Sequence, residues 1–434
     1  MARRRHPRTN LAAATAATVP GLVVRLGGVS SHLGPLTRSA VYGIAIIGAS
    51  LLLTWAAELS QLDLSPAIAI GGLALVAVLP EYVVGAVFAW RGGHAFHTFG
   101  PVCQSAAAIA AGRDSPCNLA LANMMGANRL LIGIGWSLVV LVAWRRTRTM
   151  RGDLLRGVVL ERSHSVELSF LALASVWCLT LPLRHTVGLV DTCVLLAVFG
   201  GYGARLLGAP RSEPELEGVA AWLGALPALR RRLVAATMLV AAAVVVFLCA
   251  DTFADALVAT GHGLGVGDFF LVQWVAPLAS EAPELIVAAV YAWRLRASIG
   301  LSALVSSKVN QWTVLVGSLP IAFAVASSSF HGLPLGTSQR EELALTAAQS
   351  VFGVAVLGNL EVSTAEAISL FTLFTSEFVL GATLPGPDRG ALRLTYAAGY
   401  VIASAAILIV KRRDTVALLE DGFRTPHHRL ARPR

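Results

Sequence analysis

A chain of 434 residues that is 56% hydrophobic and 14% charged, with a mean hydropathy of +0.69, is too apolar for an ordinary soluble domain, in which about 25% of residues carry charge. It reads as an integral membrane protein. The net charge of +9 is no nucleic-acid signal, because the arginines cluster in the tails and between apolar runs, where they report orientation in a bilayer.

The amino-terminal residues Met1 to Arg8 carry Arg3, Arg4, Arg5 and Arg8 and lead into an Ala-rich stretch. Pro20 and Arg25 interrupt its apolar region, which argues against a cleaved signal peptide. Apolar runs then follow at 41–57, 64–90, 118–143, 166–182 and 186–208, and again at 233–259, 268–293, 299–325, 342–358 and 364–383, with a last one at 391–410. Each is near the length a spanning helix needs, so eleven are expected. The chain divides accordingly into a basic tail (1–38), a first five-helix repeat (39–209), a cytoplasmic linker (210–232), a second, inverted repeat (233–384) and an extra helix with a basic tail (385–434).

Between 144 and 165 stand Arg145, Arg146, Arg148, Arg151, Arg156 and Arg162 against Asp153 and Glu161, and Arg230 to Arg232 precede the sixth run. Both connections should be cytoplasmic, as should Lys411 to Arg413, with 92–117 outside. The two halves are then inverted. Eleven spans leave the basic Met1–Arg8 segment outside, against the rule; either a weak further membrane segment around 11–28 restores the parity, or long-range dominance of the inner loops overrides it.

The halves also share a motif. Residues 80–91, PEYVVGAVFAWR, return 203 residues later as PELIVAAVYAWR at 283–294, identical at eight positions. One duplication of half a chain is how many secondary transporters are built. Glu81 and Glu284 stand where an ionised group is costly and rarely kept without a use. Pro80 and Pro283 withhold a backbone hydrogen bond, so their helices should bend or unwind near Val76 and Ala279, freeing carbonyls beside the glutamates. Glu81 and Glu284, the candidate metal ligands, would then offer hard oxygens to Ca²⁺, Na⁺ or H⁺. The bland alternative, a kink with an interface-facing glutamate, suits one copy better than two. Each Pro-Glu run is followed by a span opening on small and polar residues, NLALANMMGAN at 118–128 and SALVSSKVNQ at 302–311.

These segments resemble the cation/calcium antiporter superfamily of the sodium/calcium exchanger type, whose repeats read roughly G-T-S-L-P-E and then G-N-x-x-G-S-N-x-x-N. Ala77 to Glu81 and Ser280 to Glu284 stand at the T-S-L-P-E positions, and Asn123, Gly126, Ala127 and Asn128 match the second motif. In the second repeat G-S-N falls either on Ser306-Ser307-Lys308 or on Lys308-Val309-Asn310, with Gln311 following; one sequence leaves that register open. The resemblance implies a ten-helix inverted core in which the two glutamates alternately hold Ca²⁺ and the exchanged Na⁺ or H⁺, with Asn123, Asn128, Ser280, Ser306, Ser307, Asn310 and Gln311 as further polar groups. Three departures matter. Ala77 and Val78 lack the hydroxyls, Glu281 adds a carboxylate on the face of Glu284, and Lys308 enters the polar segment.

A lysine among carboxylates can stand in for a bound cation and favour proton coupling; alternatively Lys308 snorkels to the cytoplasmic interface. The expected activity is therefore antiport of Ca²⁺ or another hard cation against Na⁺ or H⁺ in a bacterial plasma membrane. The alternatives are Na⁺/H⁺ exchange with Lys308 as a built-in cation, or a cation sensor without transport. No motif of a membrane enzyme is present, and no cofactor or nucleic-acid partner is expected; inorganic cations and the lipid bilayer are the partners. Lesser candidates are Asp251 and Asp255, four apart and able to line a path or to sit in water at its outer end, and His94, His97, Cys103 and Cys117, which have zinc-like types but the spacing of an ordinary loop. A Cys103–Cys117 disulfide is open, Glu366 and Glu377 should serve interface or packing, and Cys178, Cys193 and Cys249 should be buried apolar groups.

Overall fold

The structure, a computed structural model, describes residues 7–63, 79–110, 113–152, 155–208, 216, 218–264, 268–384 and 386–430. Its long helices are α1 (Pro7–Leu26), α2 (Pro35–Ser60), α3 (Leu79–Phe99), α4 (Pro116–Leu130), α5 (Ser137–Arg151), α6 (Ser165–Cys178), α7 (Leu189–Leu206), α8 (Ala228–Leu264), α9 (Asp268–Trp293), α10 (Ala297–Asn310), α11 (Val316–Ser327), α12 (Thr337–Val356), α13 (Thr364–Thr383), α14 (Gly386–Val410) and α15 (Arg412–Phe423). Pairs α4–α5 and α10–α11 are each one continuous rod, so α2 to α7 and α8 to α13 make five rods apiece. Among the described residues nine helices are long and apolar enough to cross a membrane. The two other predicted spans are α3, described only from Leu79 onward, and α12, whose first turns carry Gln339, Arg340, Glu341 and Glu342.

Local chemistry sets the helix ends. Pro35 and Pro116 occupy first turns, where a missing N–H costs nothing. Ser363 and Glu366 form a reciprocal capping box at α13, and Gly152 stops α5 in the left-handed region at φ 74°. Ile402, Ile409, Val240 and Phe247 are exposed on the outside of the bundle, where lipid rather than water is the solvent.

The inversion predicted from the basic loops is written into two short ladders. Gly157–Val159 pairs antiparallel with Glu361–Ser363, and Thr186–Val187 with Leu333–Pro334. The first ties the third connection of repeat one to the fourth of repeat two, and the second ties the fourth of repeat one to the third of repeat two. Inverted repeats give such a swapped pair, one at each membrane face.

The sixth-to-first contact is close: Ser39 and Thr260 share a 2.9 Å hydrogen bond between α2 and α8, and a methyl on Gly43 would lie 3.2 Å from Phe253. Small residues at such crossings let membrane helices approach. The expected extra segment near 11–28 is α1, packed on this pair through Gly21 against Ala45 and Cys249; its 20 residues are about 30 Å long, enough to cross. Single cysteines at His94, Arg148 and Arg412, all exposed, should react with an impermeant maleimide added to intact cells only at position 94. Labelling at 148 would overturn the inverted arrangement.

The carboxyl-terminal tail docks on the start of α6 and the end of α7. Asp421 pairs with Arg162 through two 2.7 Å bonds, Arg205 donates to the carbonyls of Gly422 (3.0 Å) and Thr425 (2.6 Å), and Gly422 sits flush on Ser165 and Ser169. His427 is buried here, and desolvation together with the Arg205 charge pushes it below the ordinary histidine range. A histidine that binds protons better when undocked supports docking above its free value of about 6.5 and weakens it below. Amide protection factors over 412–430, which correct for the intrinsic pH dependence of exchange, should therefore fall between about pH 7.5 and about pH 5.5, and His427→Gln should remove that difference.

Candidate ion site

Glu81 opens the described part of α3 and is 1% exposed, with its Oε2 lacking any protein partner. Val76, Ala77 and Val78 lie outside the described residues, so the bend expected there is not described. The bend or unwinding expected near Ala279 is corrected in one respect: α9 runs unbroken through Pro277 and Pro283. Pro283 withholds its hydrogen bond from the Ala279 carbonyl, yet the helix stays regular there. Pro277 does the same to the Gln273 carbonyl, and α4 covers that oxygen, since a methyl on Gly126 would lie 1.6 Å from it. Ser280 donates to the carbonyls of Ala276 and Pro277, both at 3.3 Å, beside the gap. A freed carbonyl covered by a neighbouring helix needs no unwinding. Gly126→Ala should force α4 and α9 apart, at a cost of roughly 1–3 kcal/mol, and displace Asn123 and Asn128; a lowered thermal midpoint with reduced cation affinity would register it, and a fully parental variant would rule the contact out.

The irregularity falls instead on the rods that follow. A π-helical turn, Leu131–Trp136, joins α4 to α5, and another, Gln311–Leu315, joins α10 to α11. Such turns are frequent at functional sites. They begin at matching points and settle the register: Leu131 corresponds to Gln311, hence Asn128 to Lys308, and Gly126-Ala127-Asn128 to Ser306-Ser307-Lys308.

Lys308 does not snorkel. It is fully buried, and its Nζ donates to Asn128 at both the backbone oxygen (2.5 Å) and Oδ1 (2.7 Å), so the lysine grips its own counterpart across the repeat interface. The ammonium also lies 5.3 Å from the centre of the Trp312 ring, which is fixed by a 2.7 Å bond from its Nε1 to Ser350. Glu281, fully buried, accepts a hydrogen bond from the Gln311 amide and lies within electrostatic reach of Lys308, Glu81 and Glu284. Glu284 is half-buried, one turn on, with the Ser307 hydroxyl near it but closing no hydrogen bond. Ser280 stands within reach of Glu81. Ser306 turns away, toward Tyr202.

Buried polar atoms without partners are rare. Here they gather: Glu81 Oε2, Glu281 Oε2, Asn123 Oδ1 and Nδ2, Ser307 Oγ, Asn310 Oδ1 and Gln311 Oε1. All but one are oxygens, a donor set that suits a hard cation. Among the described residues no three His, Cys, Asp or Glu side chains converge tightly enough to hold a metal unaided, so amide and hydroxyl oxygens would have to complete the shell.

The lesser candidates fall elsewhere. Asp251 and Asp255 both clamp Arg91, at 2.5 and 2.7 Å, and their side chains are more than half exposed, so they do not line a buried path. Cys103 and Cys117 form a disulfide, with Cα atoms 5.9 Å apart, and His97 bonds the Ser327 carbonyl at 3.1 Å. Of the other cysteines, Cys178 and Cys249 are buried but Cys193 is exposed, toward lipid. Glu366 takes a 2.8 Å bond from Lys411, an interface role as expected, whereas Glu377 is 4% exposed and pairs with Arg129. Sequence reasoning passed over Arg129 and Glu342; the available signal was a cation directly after Asn128 and a carboxylate opening a span.

An all-helical membrane protein of two inverted five-helix repeats, with carboxylates of both repeats within electrostatic reach of one another, has the architecture of a secondary cation transporter. The sodium/calcium exchanger protein family matches it over residues 39–207 and 234–380, and the chain belongs to that family. A crystal structure of the H⁺/Ca²⁺ exchanger CAX is similar, with 36% identity and a TM-score of 0.85, over 96% of this chain and 98% of that one. The Ca²⁺/H⁺ antiporter protein YfkE shares the fold at 15% identity and a TM-score of 0.59, over 91% and 99%. The sodium-calcium exchanger NCX_Mj does so at 15% and 0.50, over 80% and 99%. No curated protein sequence matches the chain.

Proposed function

We propose that the protein exchanges Ca²⁺ or another hard divalent cation for protons, with Glu81, Glu281 and Glu284 as the charged ligands and Lys308 as a resident cation. The observation that carries this reading is the buried Lys308 ammonium held by Asn128. Three carboxylates and one ammonium leave a formal charge of −3 + 1 = −2. One divalent cation neutralises it, and so do two protons. Burying an uncompensated charge is costly, so the core reorganises readily only when loaded with one or the other, which couples the two fluxes. The likeness to CAX supports the choice of proton over sodium. The basic connections on one side suit an insertion into a bacterial cytoplasmic membrane with 144–165 inside.

The test is Ca²⁺ flux in sealed proteoliposomes. A pH gradient alone should drive uptake, a Na⁺ gradient at uniform pH should not, and an imposed potential should change the rate little. Uptake driven by Na⁺ alone would overturn proton coupling, and binding without flux would leave a sensor.

A further inference from the structure

On the outer side of the candidate centre, between α4, α9, α12, α13 and α14, opens a cavity of about 550 Å³. Its mouth is formed by residues that adjoin outer connections, among them Asp114, Ser338 and Ala382. Its floor is a buried ion cluster. Arg129, 2% exposed, donates to Glu342 at 3.0 Å and to Glu377, and its guanidinium lies 5.0 Å from the centre of the Trp274 ring. Glu342 also accepts from Gln273 at 3.0 Å and from Arg393 at 2.7 Å.

Buried ion pairs of this kind are weak stabilisers, because desolvation cancels most of their attraction, so stability does not account for five polar side chains from five helices in the membrane. Position does. Arg129 directly follows Asn128, and α4 crosses α9 where Gly126 meets Gln273, so the floor lies within one helical turn of the residues that hold Lys308. Gln339 lines the same cavity, is 1% exposed, and leaves its Oε1 without a partner. A carboxylate pair and an orphaned amide oxygen are ligands for a hard cation, and the cations now on the carboxylates are tethered guanidiniums, Arg129 across both and Arg393 on Glu342. The counterpart of Arg129 in the second repeat is the uncharged Val309.

We propose that this cavity is the outer mouth of the cation route and that Arg129 guards it, occupying on Glu342 and Glu377 the position that a hard divalent cation takes in passage. The inference rests on the exchange reading above and adds a sided prediction to it.

The experiment keeps the Cys103–Cys117 disulfide and removes the exposed thiol with Cys193→Ser. Ser338→Cys or Ala382→Cys, both at exposed lining positions, is then modified from outside with an impermeant cationic thiosulfonate. Modification should cut Ca²⁺ exchange several-fold; complete modification with unchanged flux would show the cavity to be a dead end. Independently, Glu377→Gln should raise the half-saturating Ca²⁺ concentration several-fold on the outer face and leave that on the inner face unaltered. An equal change at both faces, or none, overturns the guarding role. If the unmodified parent carries no flux, the exchange reading itself fails, an outcome distinct from failure of the cavity alone.

Discussion

Glu81→Gln and Glu284→Gln should each reduce exchange to background while leaving the protein inserted and folded. A carboxylate about 4 Å from a cation contributes about 4 kcal/mol per unit charge at an effective dielectric constant of about 20, about 8 kcal/mol for a divalent ion, so losing one should weaken divalent binding by at least about a thousandfold even after desolvation offsets half of it. Folding should tolerate the change. Glutamine keeps the size of glutamate, Glu81 Oε2 has no protein partner to lose, and removing a buried charge among other carboxylates relieves repulsion rather than creating it. Proteoliposome Ca²⁺ uptake beside size-exclusion elution separates the two effects. Either variant exchanging at the parental rate would remove that residue from the ligand set, and loss of a monodisperse peak would reassign it to structure.

The duplication was legible because Pro80-Glu81 and Pro283-Glu284 repeat with their flanking Ala-Trp-Arg, a local pattern that needs no knowledge of contacts. The arginine-rich connections point to an orientation for the same reason, since arginine placement answers to insertion rather than to packing, and the maleimide labelling above tests it. What escaped was tertiary. No periodicity announces that Lys308 bonds Asn128, because the two are 180 residues apart and meet only when the repeats close on one another. The register stayed open until the π-helical turns at Leu131 and Gln311 aligned the two rods. The expected unwinding near Ala279 does not occur, and the Gln273 carbonyl freed by Pro277 is covered by Gly126, a compensation invisible from α9 alone. Glu377 was read as packing, and Arg129 was passed over, because each makes sense only beside the other.

Lys308 carries the second large effect. With its ammonium the centre holds a formal −2; replaced by the asparagine that its counterpart Asn128 suggests, three carboxylates remain, and a divalent cation must be joined by a monovalent one to reach neutrality. Lys308→Asn should therefore gain a dependence on Na⁺, while a centre that still reorganises only when neutral exchanges Ca²⁺ with Na⁺ against three protons, so its cycle should stay as indifferent to an imposed membrane potential as the parent's. The amide can still donate to Asn128, so insertion and folding should survive. Lys308→Ala is the harsher change. It leaves Asn128 Oδ1 without its donor and Glu281 without its nearby cation, and breaking a buried pair in this way costs about 3–5 kcal/mol, so transport and thermal stability should fall together. Ca²⁺ flux measured against Na⁺ concentration, pH and a valinomycin-set K⁺ potential reads all three properties. If both variants match the parent in ion dependence and pH profile, the buried ammonium is no surrogate cation, and the −2 centre that motivates proton coupling is wrong.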